Sequence, residues 1–283
     1  KVSVSEEKID DFVVMLRKKY DTIFRSREFQ TSYGKTITIE GGDYGWWMNY
    51  SQEQEQLKEM IRNGESGERI PVYYQTAAVY GSQDYGNTYI EINLTAQHLF
   101  LYVNGEKKME SEFVSGNAAR GFDTPAGIYG ITYKEQDAML VGENYETPVS
   151  YWMPFNGNIG LHDAIWRDSF GADIYKKSGS HGCINMPYLK AKELYGEIAK
   201  GTPVICYYLD GTESEETISQ PDAEKAQAVV DSIAKIGTVT KDSKKKIERA
   251  RQLYNDAPAA QREYVTNYEV LTAAEEAYQS LKK

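Results

Sequence analysis

Thr88-Tyr89-Ile90-Glu91-Ile92-Asn93-Leu94, followed by Leu99-Phe100-Leu101-Tyr102-Val103-Asn104-Gly105, sets the character of the chain's middle third. Tyr89, Ile90, Ile92 and Leu94 read as one strand, and residues 99–103 as a second. Asn104-Gly105 is a strong two-residue hairpin signal, because both residues tolerate positive φ. Residues 108–115 then return as the partner strand. Further β-type segments run through Gly130 and Tyr133, and glycine-rich turns continue to Gly182. The pattern predicts a mainly-β, sandwich-like or barrel-like domain. One helix interrupts it: Pro187 suits a first turn, Leu189, Leu194, Tyr195 and Ile198 give an apolar side, and Lys200-Gly201 ends it. Thr202-Pro203-Val204-Ile205-Cys206-Tyr207-Tyr208 reads as the closing strand.

Outward toward the N-terminus, Ile9, Phe12, Val13, Leu16 and Tyr20 share one face of a helix over residues 5–20. Thr36-Ile37-Thr38-Ile39 alternates like a strand. Ser51 and Gln54 have capping-box spacing before Leu57, Met60 and Ile61, with Asn63-Gly64 as the stop. Residues 70–74 read as extended. Toward the C-terminus, residues 211–221 read as a polar linker. Three amphipathic helices follow, marked by Ala226/Val229/Ile233/Ile236, Ile247/Ala250/Tyr254 and Tyr268/Leu271/Ala274/Tyr278/Leu281. Lys244-Lys245-Lys246 reads as a solvated helix face. The expected organisation is therefore multidomain: an α+β domain (1–87), a mainly-β domain (88–210), a linker (211–221) and an all-α three-helix module (222–283).

The chain has 283 residues and a formal net charge of −10, which argues against a nucleic-acid partner. No apolar run approaches a membrane span. Because the sequence starts at Lys1 without Met, it is read as a fragment whose leader or anchor lies outside it. Two cysteines are too few for a disulfide scaffold, and Cys206, in its strand, is expected to be a buried thiol.

Two of the three histidines, His162 and His181, cluster with Cys183. Cysteine acyl chemistry needs a thiolate, a base that makes it and donors for the oxyanion. A free thiol is only about a few per cent ionised at neutral pH, so a neighbouring imidazole matters. Gly182 permits close approach of backbone to substrate. The helix begun at Pro187 would favour negative charge on a thiolate just before it. Metal binding by Cys183, His181 and His162 is the competing reading, but no paired cysteine or close second ligand motif accompanies it. No cofactor is implied. His98 lies far from this cluster in sequence and is expected on a strand surface.

Gly160-Leu161-His162-Asp163-Ala164, residues 163–179 as spacer, and Gly179-Ser180-His181-Gly182-Cys183-Ile184-Asn185 together resemble the signature of YkuD-type L,D-transpeptidases. Thr124-Pro125-Ala126-Gly127 and Tyr151-Trp152-Met153-Pro154-Phe155 add to the resemblance, which covers roughly residues 88–209. It implies peptidoglycan chemistry outside the cytoplasmic membrane, on stem peptides as donor and acceptor. By position Cys183 would be the nucleophile and His162 the base, its ring oriented by the backbone carbonyl of Asp163. His181 would stand on the substrate side, the Gly182 and Cys183 N–H groups would form the oxyanion hole, and Ser180 and Asn185 would shape the loop. Tyr151, Trp152, Met153 and Trp166 are candidates for cleft walls or for ordinary core. Carbapenems are expected as covalent inhibitors, and the chain is expected to be a monomer. With water as acceptor the same site would be an L,D-carboxypeptidase, and a non-catalytic wall-binding surface protein is the reading from a different class. A papain-like or NlpC-type peptidase is disfavoured, since there Cys precedes His.

Asp43-Tyr44-Gly45-Trp46, the helix over residues 51–62 and Arg69-Ile70-Pro71 resemble the end of a peptidoglycan-binding domain found before such catalytic domains in Gram-positive members. Ile236-Gly237-Thr238-Val239-Thr240, Ala250-Arg251-Gln252-Leu253-Tyr254 and Val265-Thr266-Asn267-Tyr268 resemble a helical module of Gram-positive surface proteins.

Overall fold

The computed structural model describes residues 5–142 and 145–281; residues 1–4 and 282–283, the ends of the first and last expected domains, lie outside the described residues. The N-terminal region comprises α1 (Glu6–Tyr20), β1 (Arg27–Gln30), β2 (Thr36–Ile39), β3 (Trp47–Met48), α2 (Tyr50–Asn63) and β4 (Tyr73–Gln75). Ser5 caps α1 by accepting from the Lys8 N–H. Ile9 and Val13 of the expected stripe are buried, whereas Phe12 and Tyr20 face solvent. The cap of α2 is Asn49 rather than Ser51. The Asn49 N–H is held by the Val72 carbonyl, which fixes where the helix starts, and its side chain accepts from the Gln52 N–H. Gly64 ends α2 in the left-handed conformation.

The central region contains β5 (Tyr89–Asn93), β6 (His98–Val103), β7 (Glu106–Glu112), β8 (Gly127–Gly130), β9 (Glu135–Gly142), β10 (Tyr145–Asn156), β11 (Ile159–Asp163), β12 (Ser169–Gly171), α3 (Ile174–Ser178), β13 (Ile184–Met186), α4 (Tyr188–Glu197) and β14 (Pro203–Tyr207). Asn104 and Gly105, both at positive φ, turn β6 into β7. One sheet runs β7-β6-β5-β14-β8 and a second runs β13-β11-β10-β9. Ile90, Ile92, Leu99 and Leu101 of the first sheet meet Met153, Leu161, Ile184 and Met186 of the second in one core, with Leu194 of α4. Cys206 is fully buried in that core.

The other face of the first sheet is covered by the β1–β2 hairpin, whose Phe29 and Ile39 pack on Ile128, Ile205 and Tyr207. This explains why every residue of β14 is buried and why the strand reads as a continuous apolar run. Glu91 on that face is buried but satisfied: it accepts from the Ser32 N–H (2.8 Å), the Ser32 hydroxyl (2.6 Å) and the Tyr207 hydroxyl (2.6 Å).

The expected linker is partly structured. Within it β15 (Thr217–Ser219) pairs antiparallel with β12. It leads to α5 (Asp222–Ala234), α6 (Lys244–Asp256), α7 (Ala259–Arg262) and α8 (Tyr268–Ser280). Among the described residues there are four α-helices here rather than three, because α7 is a single turn after Pro258 and too short to show a periodic stripe. Ala226, Val229, Ile233, Ile247, Leu253 and Leu271 form their shared core. These helices dock on the central region. Asp231 accepts from the Tyr188 hydroxyl and the Lys192 ammonium, both at 2.6 Å, and Arg249 reaches Asp137 (3.0 Å) and the Val149 carbonyl (2.8 Å). Ala228 belongs to the central core, and Ile165 packs on both cores. Among the described residues no helix is long and apolar enough to cross a membrane.

Candidate active site

Parallel pairing of β11 with β13 sets His162 opposite Asn185. The pairing exists because Leu161, Ile184 and Met186 are buried in the common core, which fixes the register. Cys183 stands just before β13. Sequence reading expected it at the mouth of a helix, but β13 intervenes and α4 begins only after Pro187. The thiol therefore does not sit at the N-terminus of α4, a correction whose cause is the burial of Ile184 and Met186 in β13.

The loop before Cys183 is held by polar bonds. The Ser180 hydroxyl donates to the Cys183 carbonyl (2.6 Å) and accepts from the Gly182 N–H (3.0 Å). The Thr124 hydroxyl donates to the Gly182 carbonyl (2.7 Å) and accepts from the Gly116 N–H (3.1 Å), which shows what the Thr124-Pro125-Ala126-Gly127 run contributes. Gly182 has φ +119° and a Cβ there would lie 3.1 Å from Ile159, so glycine is required. With its N–H given to Ser180, Gly182 is not poised as an oxyanion donor, contrary to expectation.

His162 is buried, and both ring nitrogens are engaged. Nδ1 donates to the Asp163 carbonyl at 2.9 Å, and Nε2 accepts from Asn185 Nδ2 at 3.0 Å. Arg167 Nε donates to Asn185 Oδ1 at 2.8 Å. A guanidinium can only donate, so the Asn185 oxygen must face Arg167 and its amide nitrogen must face the imidazole. The proton is therefore on Nδ1 and the lone pair on Nε2. Burial drives the His162 pKa down to about 4, the Asp163 carbonyl opposes this and the Arg167 charge adds to it. Burial pushes the Cys183 thiol up to about 11, opposed by the Gly160 N–H. At rest the pair is a neutral thiol and a neutral imidazole rather than a preformed thiolate. The Cys183 Sγ–H points at the Asn158 carbonyl, 3.5 Å away.

The Asp163 carboxylate has separate work. It accepts from the Ser150 and Tyr151 N–H groups, both at 2.8 Å, and so ties β10 to β11. Burial raises its pKa to about 6, while those two N–H groups and the Arg249 charge pull it down.

Cys183 and His162 share a cavity of about 310 Å³. Ser180, His181, Asn185 and Trp166 also line it, as do Leu140, Thr147, Asn158 and Arg167, which sequence reading did not single out. The His181 ring packs on Phe122 at 4.8 Å. Arg167 carried no spacing signal beyond its place next to Trp166. Tyr151, Trp152 and Met153 do not wall the cleft. Tyr151 and Met153 alternate inward into the core, and Trp152, on the opposite face of β10, packs beneath Cys183 and 5.8 Å from the His162 ring. Gly160 makes room for the Trp152 indole, since a Cβ there would lie 2.7 Å from its ring atoms. His98 lies on β6 between Glu110 and Glu112, against Phe100. A larger cavity, about 750 Å³, opens between α1 and Tyr73, Tyr80 and Arg25, but neither Cys183 nor a histidine reaches it.

Residues 87–206 match the family model of the L,D-transpeptidase catalytic domain, YkuD, and residues 1–69 match a domain family described as peptidoglycan-binding. No curated protein matches the chain. Among solved structures, a cysteine-to-serine mutant of Enterococcus faecium L,D-transpeptidase is similar at 36% identity and a TM-score of 0.63, over 73% of this chain and 84% of that one. The Ldtfm–avibactam carbamoyl enzyme is similar at 37% identity and a TM-score of 0.63, over 73% of this chain and 82% of that one.

Proposed function

The chain belongs to the L,D-transpeptidase family, and from that premise we propose that it joins peptidoglycan stems by 3→3 cross-links through a thioester on Cys183. The observation that carries this reading is a buried imidazole in the same cavity as the thiol, its proton fixed on Nδ1 by the Asp163 carbonyl. Cys183 attacks the carbonyl of the third residue of a donor tetrapeptide as its thiol turns from the Asn158 carbonyl and passes its proton to His162 Nε2, which gives up its bond from Asn185. The Cys183 N–H donates to the oxyanion. Collapse breaks the peptide bond, and the proton returns from His162 to the departing amine of D-Ala. An acceptor amine then attacks the thioester, losing a proton to His162, and the thiol is regenerated. Because the thiol and imidazole are neutral at rest, proton transfer accompanies attack instead of preceding it. His181, against Phe122 at the cavity wall, faces the donor stem.

The setting is extracytoplasmic, and residues 1–69 bind peptidoglycan in this reading. A carbapenem acylates Cys183; the similar Ldtfm enzyme, a carbamoyl adduct with avibactam, supports covalent capture by ring-opening inhibitors. Mass analysis of muropeptides after incubation with disaccharide-tetrapeptide is the test. Cross-linked dimers are expected. Tripeptides alone would show water to be the acceptor and the enzyme an L,D-carboxypeptidase, and unchanged tetrapeptide would overturn the assignment.

A further inference from the structure

Beside the catalytic cavity lies a second one, of about 410 Å³, formed jointly by the central region and the C-terminal helices. Trp166 lines both cavities, and the adjacent β10 residues Thr147 and Pro148 line the first and the second respectively. The C-terminal helices thus wall a cavity that shares Trp166 with the cleft. We propose that this second cavity is the acceptor subsite, taking the aliphatic, amine-bearing side chain of a second stem peptide; the inference rests on the transpeptidase reading above.

Position and chemistry both argue for the acceptor. The acceptor amine must lose a proton to His162, so it has to arrive on the imidazole side. The Trp166 ring, which lines both cavities, lies 5.9 Å from the His162 ring. The second cavity therefore adjoins the cleft across Trp166, on the side of the imidazole. Its walls include Pro148, Ile165 and Leu253, which suit a methylene chain. Asp168 and Asp256 stand among the same lining residues. Lys225, which also lines the cavity, pairs with Asp168, so the exposed Asp256 is the carboxylate that meets an incoming ammonium. An aliphatic ammonium ion matches apolar walls with a carboxylate at the rim.

The acceptor dependence of cross-linking by the full chain tests this, with disaccharide-tetrapeptide as donor and a lysine-containing tripeptide stem as acceptor. Asp256→Lys places a cation where the ammonium must enter. The acceptor KM is expected to rise about three- to tenfold relative to D-Ala release into water by the same preparation. A variant that only folds poorly would lower both rates in step. Glu276→Lys makes the same charge change on an exposed residue of α8 outside the cavity and is expected to leave the acceptor KM at the parental value. An unchanged acceptor KM in Asp256→Lys, or an equal rise in both variants, overturns the subsite. Failure of the parent protein to make dimers overturns the transpeptidase reading itself.

Discussion

His162 is held from both sides, by a carbonyl that accepts only and by an amide whose orientation Arg167 dictates. In the proposed mechanism this makes Asn185 a positioning residue for the base. Asn185→Asp would place a carboxylate next to Nε2, where it draws the proton to that nitrogen and removes the lone pair. Acylation of Cys183 is expected to fall about a hundredfold or more, with the acid limb of its pH profile moved upward. An unaltered profile would contradict the tautomer argument. The parent profile also has a defined sign. Lowering the pH protonates the base, but burial holds the His162 pKa at about 4, so the imidazole stays neutral through the ordinary histidine range. The rate of acylation is expected to show no acid limb near about 6.5 and to drop only as the pH approaches about 4. The motif singled out Cys183, His162, His181 and Asn185, and the fold brings all four to one cavity. Arg167 was not legible in the sequence, because its role depends on a side-chain contact across the β11–β13 pair. The charge state of the thiol was not either, because burial decides it.

At the level of elements, the site depends on one short parallel pairing. β13 has three residues, and local reading passed over it in favour of the helix begun at Pro187. The β6–β7 hairpin, by contrast, was announced by Asn104-Gly105, since a two-residue turn is encoded locally. Non-local pairings such as β11 with β13 or β12 with β15 leave no such mark, which is why residues 211–221 read as a linker. Thr124 fastens the loop that feeds β13. Thr124→Val keeps the shape but leaves the Gly116 N–H without its partner and deprives the Gly182 carbonyl of its donor. A loss of about 1–3 kcal/mol is expected, read from urea unfolding. A midpoint equal to that of the parent would mean that the loop is held by something else.

Across the whole molecule, the N-terminal, central and C-terminal regions share cores. The β1–β2 hairpin covers one face of the five-stranded sheet, and the buried Arg27–Asp84 ion pair at 2.8 Å fastens β1 to the segment before β5. The C-terminal helices do not stand off as a spacer. Arg249 of α6 binds the Val149 carbonyl, one residue before the Ser150 N–H that holds the Asp163 carboxylate. Arg249→Ala is expected to lower stability by about 1–2 kcal/mol and to slow Cys183 acylation, because β10 loses its tie from behind. Unchanged values in both measurements would show the helices to be independent of the site. Sequence periodicity revealed the apolar stripes of these helices. It could not reveal what their outer faces meet, since Asp231 and Arg249 lie outside the apolar stripes and carry no spacing signal.

Everything above turns on Cys183 as the nucleophile. The direct measurement is D-Ala release from disaccharide-tetrapeptide by Cys183→Ala and, as a control for the other thiol, by Cys206→Ala. Cys206 is fully buried in the core, so its variant should retain turnover. Release by the parent and by Cys206→Ala, with none from a folded Cys183→Ala, is the expected result; turnover by Cys183→Ala at the parental rate would contradict it.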